Sequence, residues 1–287
     1  MIRPDVLGEL KDSAAGVVAL SELLGSRRVG PKAIAAALPS AHEACAGVAG
    51  AVQALAADVL SVLPPDSAAI AEVRAVFERA VTSVRRLEAD VAASGSSPGD
   101  ARTRLVLERA ANDASANVAA SLFVAELFAQ ASEPRVVSIR VADVLGFGPV
   151  LAEGLHVVRA TLDAPAPPVA TTDARLLRSL VELGVQIVAA AGVAAPHIQV
   201  TGAEGAGAHI RIGPAPTPLP PSAPPISTSY PPRRASARPS IPGVAMFAVK
   251  RLPFSENAFE LARAAATIAG ADVSIDAGRR GVTIAFA

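Results

Sequence analysis

The first 131 residues carry one pattern almost throughout, and it strongly limits the possible folds. Ala, Leu, Val, Glu and Arg dominate, and apolar residues recur at the spacing of a helix. Gly or Pro interrupts the pattern at 25–31, 64–67 and 94–100. Such short connections favour antiparallel neighbours, so we predict a helical bundle. Its four helices are expected near 5–25, 31–63, 67–94 and 101–131.

The pattern changes after Pro134, where alternating segments predict strands. In HIQVTGAEGAGAHIRI, residues 197–212, apolar and polar residues alternate on both sides of a glycine-containing turn, which is typical of a hairpin. Residues 175–192 and 256–270 have helical spacing, and 271–287 predict a closing hairpin. The second half is therefore predicted to be an α/β sandwich with helices on one face of a mixed sheet.

A proline-rich segment separates the two parts of this second half. Of the 31 residues in 213–243, 11 are proline, and the only charges are those of three arginines. A segment of this composition cannot bury enough apolar surface to fold. We expect it to be a disordered insertion.

Composition excludes some classes of function. Lys+Arg and Asp+Glu both number 26, so no overall field favours nucleic acid or an anionic membrane. The single cysteine, Cys45, permits no internal disulfide and fits a reducing compartment. There is no long apolar run before Lys11, and the apolar stretch at 183–203 is interrupted by polar residues. We expect a cytoplasmic protein with neither a secretory signal nor membrane insertion.

The order of these segments resembles the core of a histidine kinase, from about residue 66 to 287. In that family a dimerising helical hairpin precedes an ATP-binding sandwich of the Bergerat (GHKL) type. The stretch VVSIRVADVL, 136–145, resembles the linker, and 173–192 resembles the helix that carries two asparagines. The hairpin at 197–212 resembles the central hairpin, and 260–287 resembles the last helix and its two strands.

The resemblance implies an α+β fold and a division of the chain. Residues 1–63 would form an N-terminal helical pair, and 64–135 the dimerising hairpin. Residues 136–287 would form the sandwich, with 213–243 in place of the lid that covers ATP. The apolar stripes of the helices imply a homodimer formed through the bundle.

The residues that hold nucleotide in this family are replaced here. Glu182 and Gln186 fall where the family has asparagines, and the longer Gln186 would misplace a short oxygen-to-metal contact. GPAPTP, at 213–218, has no carboxylate to read adenine, and its prolines stand where backbone donors are needed. SENAF, at 255–259, has no glycine to form a phosphate cradle. We expect no nucleotide cofactor and no metal, with Glu182 and Gln186 as vestigial positions.

The phosphoacceptor is replaced as well. If 67–94 is the first dimerising helix, Ala71 takes the place of the histidine; in a shifted pairing Lys11 does. Histidine phosphotransferases with a degenerate sandwich are a closer resemblance, but they need a histidine on the bundle. His42 is the one candidate, with Glu43 as its general base; the alternative is an ordinary surface histidine.

The other histidines do not predict a metal site. In the expected hairpin His209 lies opposite Thr201 and His197 opposite Gly213, about 13 Å apart along the ladder. One metal ion cannot bridge that distance. His156 has no ligand partner nearby in the sequence.

Two polar features leave alternatives open. Arg178 and Glu182 are spaced for an ordinary i,i+4 ion pair, or Glu182 faces a vestigial pocket. The basic run at 100–109 is either a solvated helix face or a docking surface for an acidic receiver.

These observations lead to one expected function and two alternatives. The chain is expected to be a pseudo-histidine-kinase, a phosphotransferase-like adaptor of bacterial two-component signalling. It would bind a receiver domain or a kinase without hydrolysing ATP. The alternatives are an active phosphotransferase that uses His42, and a kinase that binds ATP in a divergent way.

Overall fold

A computed structural model describes most of the 287 residues of the chain. The described residues are 1–26, 28–94, 100–145, 155–162, 168–202, 207–215, 245–276 and 280–286. Within the strands at 155–162 and 245–250, the described side chains are those of Val158, Val249 and Lys250. Most of the proline-rich segment, and the side chain of His156, lie outside the described residues.

Four long helices form the N-terminal part, as predicted. Each contacts its neighbours in sequence, and the first also packs on the fourth, which closes the bundle. Two of these helices begin at a proline, Pro4 and Pro31, a favourable first position because an N–H there would have no partner within the helix. The helices are α1 (Pro4–Gly25), α2 (Pro31–Val62), α3 (Ala69–Ala93) and α4 (Ala101–Ser132).

Each of these helices buries one apolar stripe in the bundle. Leu10, Leu55, Leu87 and Phe128, one from each helix, are fully buried. Burying a side chain of this size contributes about 1.5–3 kcal/mol. The stripes predicted from helical spacing therefore meet inside a single chain.

The start of α4 is tied to the end of α1 by one side chain. The Arg104 guanidinium donates to the carbonyl oxygens of Leu24 (3.0 Å), Ser26 (2.6 Å) and Val29 (3.2 Å). The last carbonyls of a helix have no partner within it, so a cation there is favourable. Part of the basic run at 100–109 therefore serves the fold and is unavailable for docking.

The described residues of the second half form eight strands and three helices. A two-stranded ladder pairs β1 (Val137–Arg140) with β3 (Val169–Thr172). The main sheet has the order β6-β2-β4-β5-β8-β7, in which β2 and β4 are parallel and the other neighbours antiparallel. Its strands are β2 (Leu155–Leu162), β4 (Pro196–Gly202), β5 (Ala208–Pro214), β6 (Ala245–Lys250), β7 (Asp272–Ile275) and β8 (Val282–Phe286).

Helices cover one face of this mixed sheet, which confirms the predicted fold class. The covering helices are α6 (Ala174–Ala190) and α7 (Phe259–Ile268), the latter preceded by a short 3-10 turn at Glu256–Ala258. The short helix α5 (Val141–Leu145) packs on α6 and β1 instead. The side chain of Ile212 on β5 lies directly beneath Gly184, where an added Cβ would meet Ile212 Cδ1. Gly270, with φ +75°, ends α7 in the left-handed conformation that glycine adopts readily.

The central hairpin has the predicted register, with two local differences. His209 lies opposite Thr201 and His197 opposite Gly213. Gly213 and Pro214, expected to open the insertion, instead belong to β5, where Pro214 ends the strand. His197 was expected on the exposed face, but it is buried.

Two bundle helices have the composition of membrane spans. By length and hydropathy alone, α2 and α4 are apolar enough to cross a membrane, although the sequence was expected to hold no membrane-inserting segment. In the structure both pack in the bundle. Core helices of globular proteins pass the same test.

The contact between α1 and α2 predicts opposite effects of one substitution at two glycines. A Cβ on Gly16 would lie 2.8 Å from Ala44 Cβ, whereas a Cβ on Gly8 would meet nothing within 4 Å. Gly8→Ala should raise the free energy of unfolding by about 0.5–1 kcal/mol through helix propensity. Gly16→Ala should lower it by about 1 kcal/mol, because overpacking outweighs that gain. Urea unfolding of both variants measures this, and equal stabilisation would contradict the packing.

Candidate functional site between the bundle and helix α6

A groove of about 260 Å³ runs between the bundle and α6, at the positions that the resemblance assigns to nucleotide. Its floor is mainly apolar, and its polar groups come from both sides. It is lined by Ala119, Leu122, Phe123 and Glu126 of α4, by Glu182 and Gln186 of α6, and by Val249, Lys250 and Leu252.

Gln186 is buried and acts as a backbone bridge. Its Nε2 donates to the carbonyl oxygen of Lys250, and its Oε1 accepts from the N–H of Leu252 at 3.3 Å. Both ends of the amide are thus occupied by the chain where β6 ends. Gln186 therefore belongs to the interior, whereas Glu182 on the same helix is partly exposed.

Glu182 lies one turn before Gln186 and forms an ion pair. Arg178 Nε donates to Glu182 Oε1 at 2.9 Å, at the i,i+4 spacing expected from the sequence. Across the groove, Glu126 pairs with Lys11 Nζ at 2.6 Å. Both carboxylates of the groove therefore already have a cationic partner within the chain.

Asp173 caps α6, a role that was not predicted from the sequence. Its side chain accepts from the N–H groups of Arg175 (2.8 Å) and Arg135 (2.9 Å) and from the Arg175 guanidinium (2.8 Å). Burial acts to raise its pKa, but these hydrogen bonds and the Arg175 charge outweigh burial and lower the pKa to about 2. Aspartate directly before a helix is a typical N-cap, so its position in the sequence could have predicted this role.

Three contacts join the helical side of the sandwich to the bundle. Ser179 Oγ on α6 bonds Gln130 Oε1 on α4 at 3.0 Å. Phe254 packs edge-on against Phe123 of α4, with ring centroids 5.8 Å apart. Ser255 Oγ donates to Glu72 Oε1 on α3 at 3.1 Å, within the segment where the resemblance places the phosphate cradle.

Glu72 itself was not anticipated, because it lies within the apolar spacing of α3. It is buried, and its neighbours are Ser255 and, at 3.7 Å, Arg79. A carboxylate inside such a stripe is costly to bury without partners. A glutamate within the apolar stripe of α3 therefore indicates a contact with another element, but the sequence does not say which element that is.

The candidate phosphoacceptor pair lies elsewhere. His42 and Glu43 are both exposed on α2, whereas the groove is bounded by α4 and α6. Of the two positions that the resemblance aligns with the family's histidine, Ala71 is exposed on α3 and Lys11 forms an ion pair with Glu126. Among the described residues no group of three or more His, Cys, Asp or Glu side chains is placed to hold a metal ion.

Comparison of the chain with protein-family models, curated proteins and solved structures finds no match. The assignment of function therefore depends on the geometry of the chain itself.

The bridge formed by Gln186 predicts a large difference between two neighbouring positions. Gln186→Leu should lower the free energy of unfolding by about 2 kcal/mol, because two backbone groups lose their partners. Glu182→Gln should cost less than about 0.5 kcal/mol, because it removes only a partly exposed helical ion pair. Urea unfolding followed by circular dichroism compares the two, and equal small effects would contradict a structural role for Gln186.

The depressed pKa of Asp173 predicts a pH dependence of stability. The carboxylate stabilises the native state fully above the unfolded-state pKa near 3.9, and this contribution is lost as the pH falls toward about 2. Between pH 5 and pH 2 the wild type should lose roughly 2 kcal/mol more than Asp173→Asn. Free energies of unfolding across this pH range test it, and parallel curves would contradict the assignment.

Proposed function

We propose that this protein is a non-catalytic adaptor of two-component signalling, a pseudo-histidine-kinase related in design to histidine phosphotransferases. It would recognise a receiver domain or a kinase through its helical bundle and would neither bind nor hydrolyse ATP. A four-helix bundle followed by a mixed-sheet sandwich is the architecture that this proposal requires.

The observation that carries the proposal is how the chain uses the positions assigned to nucleotide. Glu182 is paired with Arg178, the amide of Gln186 is bonded to backbone at both ends, and Ser255 is bonded to Glu72. A nucleotide or magnesium ion would have to displace these partners. The residues at the positions that the resemblance assigns to nucleotide are thus bonded to other parts of the same chain.

The position of the bundle also supports the proposal. Helices α3 and α4 pack against α6 and α7, so the helical face of the sandwich is covered by the same chain. The groove that remains has two paired carboxylates and a mainly apolar floor. The two cations beside the groove, Lys11 and Arg178, are already paired with its carboxylates, so a triphosphate would have to compete with Glu126 and Glu182 for them.

Homodimerisation and a cytoplasmic location remain part of the proposal. In the family resembled, two chains each contribute a hairpin to a four-helix bundle. Here one chain supplies four helices. A dimer would therefore have to form through outer helix faces, and light scattering distinguishes it from a monomer.

A true phosphotransferase is the second candidate, because the structure exposes His42 beside Glu43. An accessible imidazole next to a carboxylate is what phosphoryl transfer from a receiver requires. Incubation with labelled phospho-receiver domains compares wild type with His42→Gln. Label on the wild type that is lost in the variant would favour this candidate over the adaptor.

The adaptor proposal predicts no nucleotide binding. Millimolar ATP analogue with magnesium should shift the melting temperature by less than about 1 °C, because a ligand stabilises only a native state that binds it. A functional histidine kinase core serves as the positive control. A clear, saturable rise of the melting temperature would contradict the proposal.

A further inference from the structure

Helix α3 presents two rows of arginine on its exposed side. At 100° per residue, Arg74 and Arg85 fall on one flank, and Arg79 and Arg86 on the other. Small residues, Ala71, Ala75, Thr82 and Ala89, lie between the rows together with Glu78. We refer to the four arginines as the arginine surface of α3.

The arginine surface lacks the close carboxylate partners found elsewhere on the chain. Arg74 and Arg85 make no ion pair within the described ranges, and Arg79 and Arg86 have carboxylate oxygens only at 3.7 and 3.9 Å. By contrast, Arg3, Arg178, Arg211 and Arg263 have carboxylates at 2.9–3.0 Å. Charge-assisted hydrogen bonds of full strength are about 2.7–2.9 Å long.

Two grooves flank the small residues, one beside each arginine row. The first, of about 430 Å³, lies between α2 and α3 and is lined by Arg74, Arg85 and Phe77. The second, of about 450 Å³, lies between α3 and α4 and is lined by Arg79 and Arg86. Glu78 and Thr82 line both grooves.

We infer that the arginine surface of α3 is a docking site for an acidic amphipathic helix of a partner protein. The helix would lie over the small residues, with carboxylates reaching both arginine rows. This inference deepens the proposed function by giving the adaptor surface and the charge of its partner.

The dimensions and charge of the surface match a helix of a little more than three turns. From Arg74 to Arg86 the surface extends about 18 Å at 1.5 Å per residue. Alanine and threonine between the rows let a partner backbone approach closely. The exposed residues of α3 include these four arginines and one carboxylate, that of Glu78, whereas the chain as a whole has zero net charge. Arginine forms bidentate pairs with carboxylates, which adds geometric specificity to the attraction.

The basic run at 100–109 is a weaker candidate for docking. Its Arg104 is bonded to three carbonyl oxygens of the α1–α2 connection. Within the described ranges, none of the four arginines of α3 is bonded in this way.

The test uses a synthetic helical peptide of 18 residues as its probe. One face of the peptide carries alanine and leucine flanked by glutamates, and a control peptide has lysine in place of each glutamate. Fluorescence anisotropy should show binding of the acidic peptide to the full chain, at least tenfold tighter than that of the lysine peptide. Higher salt should weaken this binding.

Substitutions on α3 should abolish that preference. Arg74→Gln/Arg85→Gln should weaken binding of the acidic peptide at least tenfold, and Arg74→Glu/Arg85→Glu should reverse the preference toward the lysine peptide. The matched control is Arg135→Gln/Arg140→Gln, which removes the same charge from exposed residues outside the bundle helices. All are exposed positions, and circular dichroism verifies that each variant is folded.

The outcomes separate this inference from the proposed function. No binding of the acidic peptide at millimolar concentration, or equal effects of the α3 and control variants, would overturn the docking site.

A panel of purified receiver domains tests the function. If a receiver binds and the α3 variants leave its affinity unchanged, the docking site is overturned and the adaptor stands. If the peptide behaves as expected and no receiver binds, the docking site is supported and the receiver-adaptor function fails.

Discussion

The packing of α6 and α7 between the sheet and the bundle is the constraint on which the rest of the structure depends. The buried residues of the two halves form one continuous hydrophobic core. Because α6 is covered on two sides, it has six consecutive buried residues, Leu183–Val188, rather than a single stripe. Gly184 makes room for Ile212 on the sheet side, and Ser179 bonds Gln130 on the bundle side.

This packing explains the polar residues at the junction. A side chain buried between three layers needs partners, and burial without them costs several kcal/mol. The amide of Gln186 is hydrogen-bonded to backbone groups at the end of β6, and Glu72 accepts a hydrogen bond from Ser255. Asp173 accepts hydrogen bonds from the N–H groups of Arg135 and Arg175. These buried polar residues are therefore contacts that hold the layers together.

Much of the fold could be predicted from the sequence, because helical and strand periodicities are local signals. The four helices, the hairpin at 197–212 and its register followed from spacing and turn residues. The contacts between halves could not be predicted, because no local pattern specifies which surface covers α6. Gln186 was predicted to be a vestigial ligand position, whereas its burial depends on Lys250 and Leu252, more than sixty residues away. Arg104 was predicted only as part of the basic run at 100–109, because its partner Ser26 is likewise far away in the sequence.

The shared core can be tested most directly by differential scanning calorimetry of the intact chain. If the bundle and the sandwich are held together through α6 and α7, the account predicts a single transition with equal calorimetric and van't Hoff enthalpies. Phe254→Ala, which removes a ring packed on Phe123 of the bundle, should lower the temperature of that one transition without splitting it. Two separate transitions in the wild type, of which only one responds to this substitution, would contradict the account.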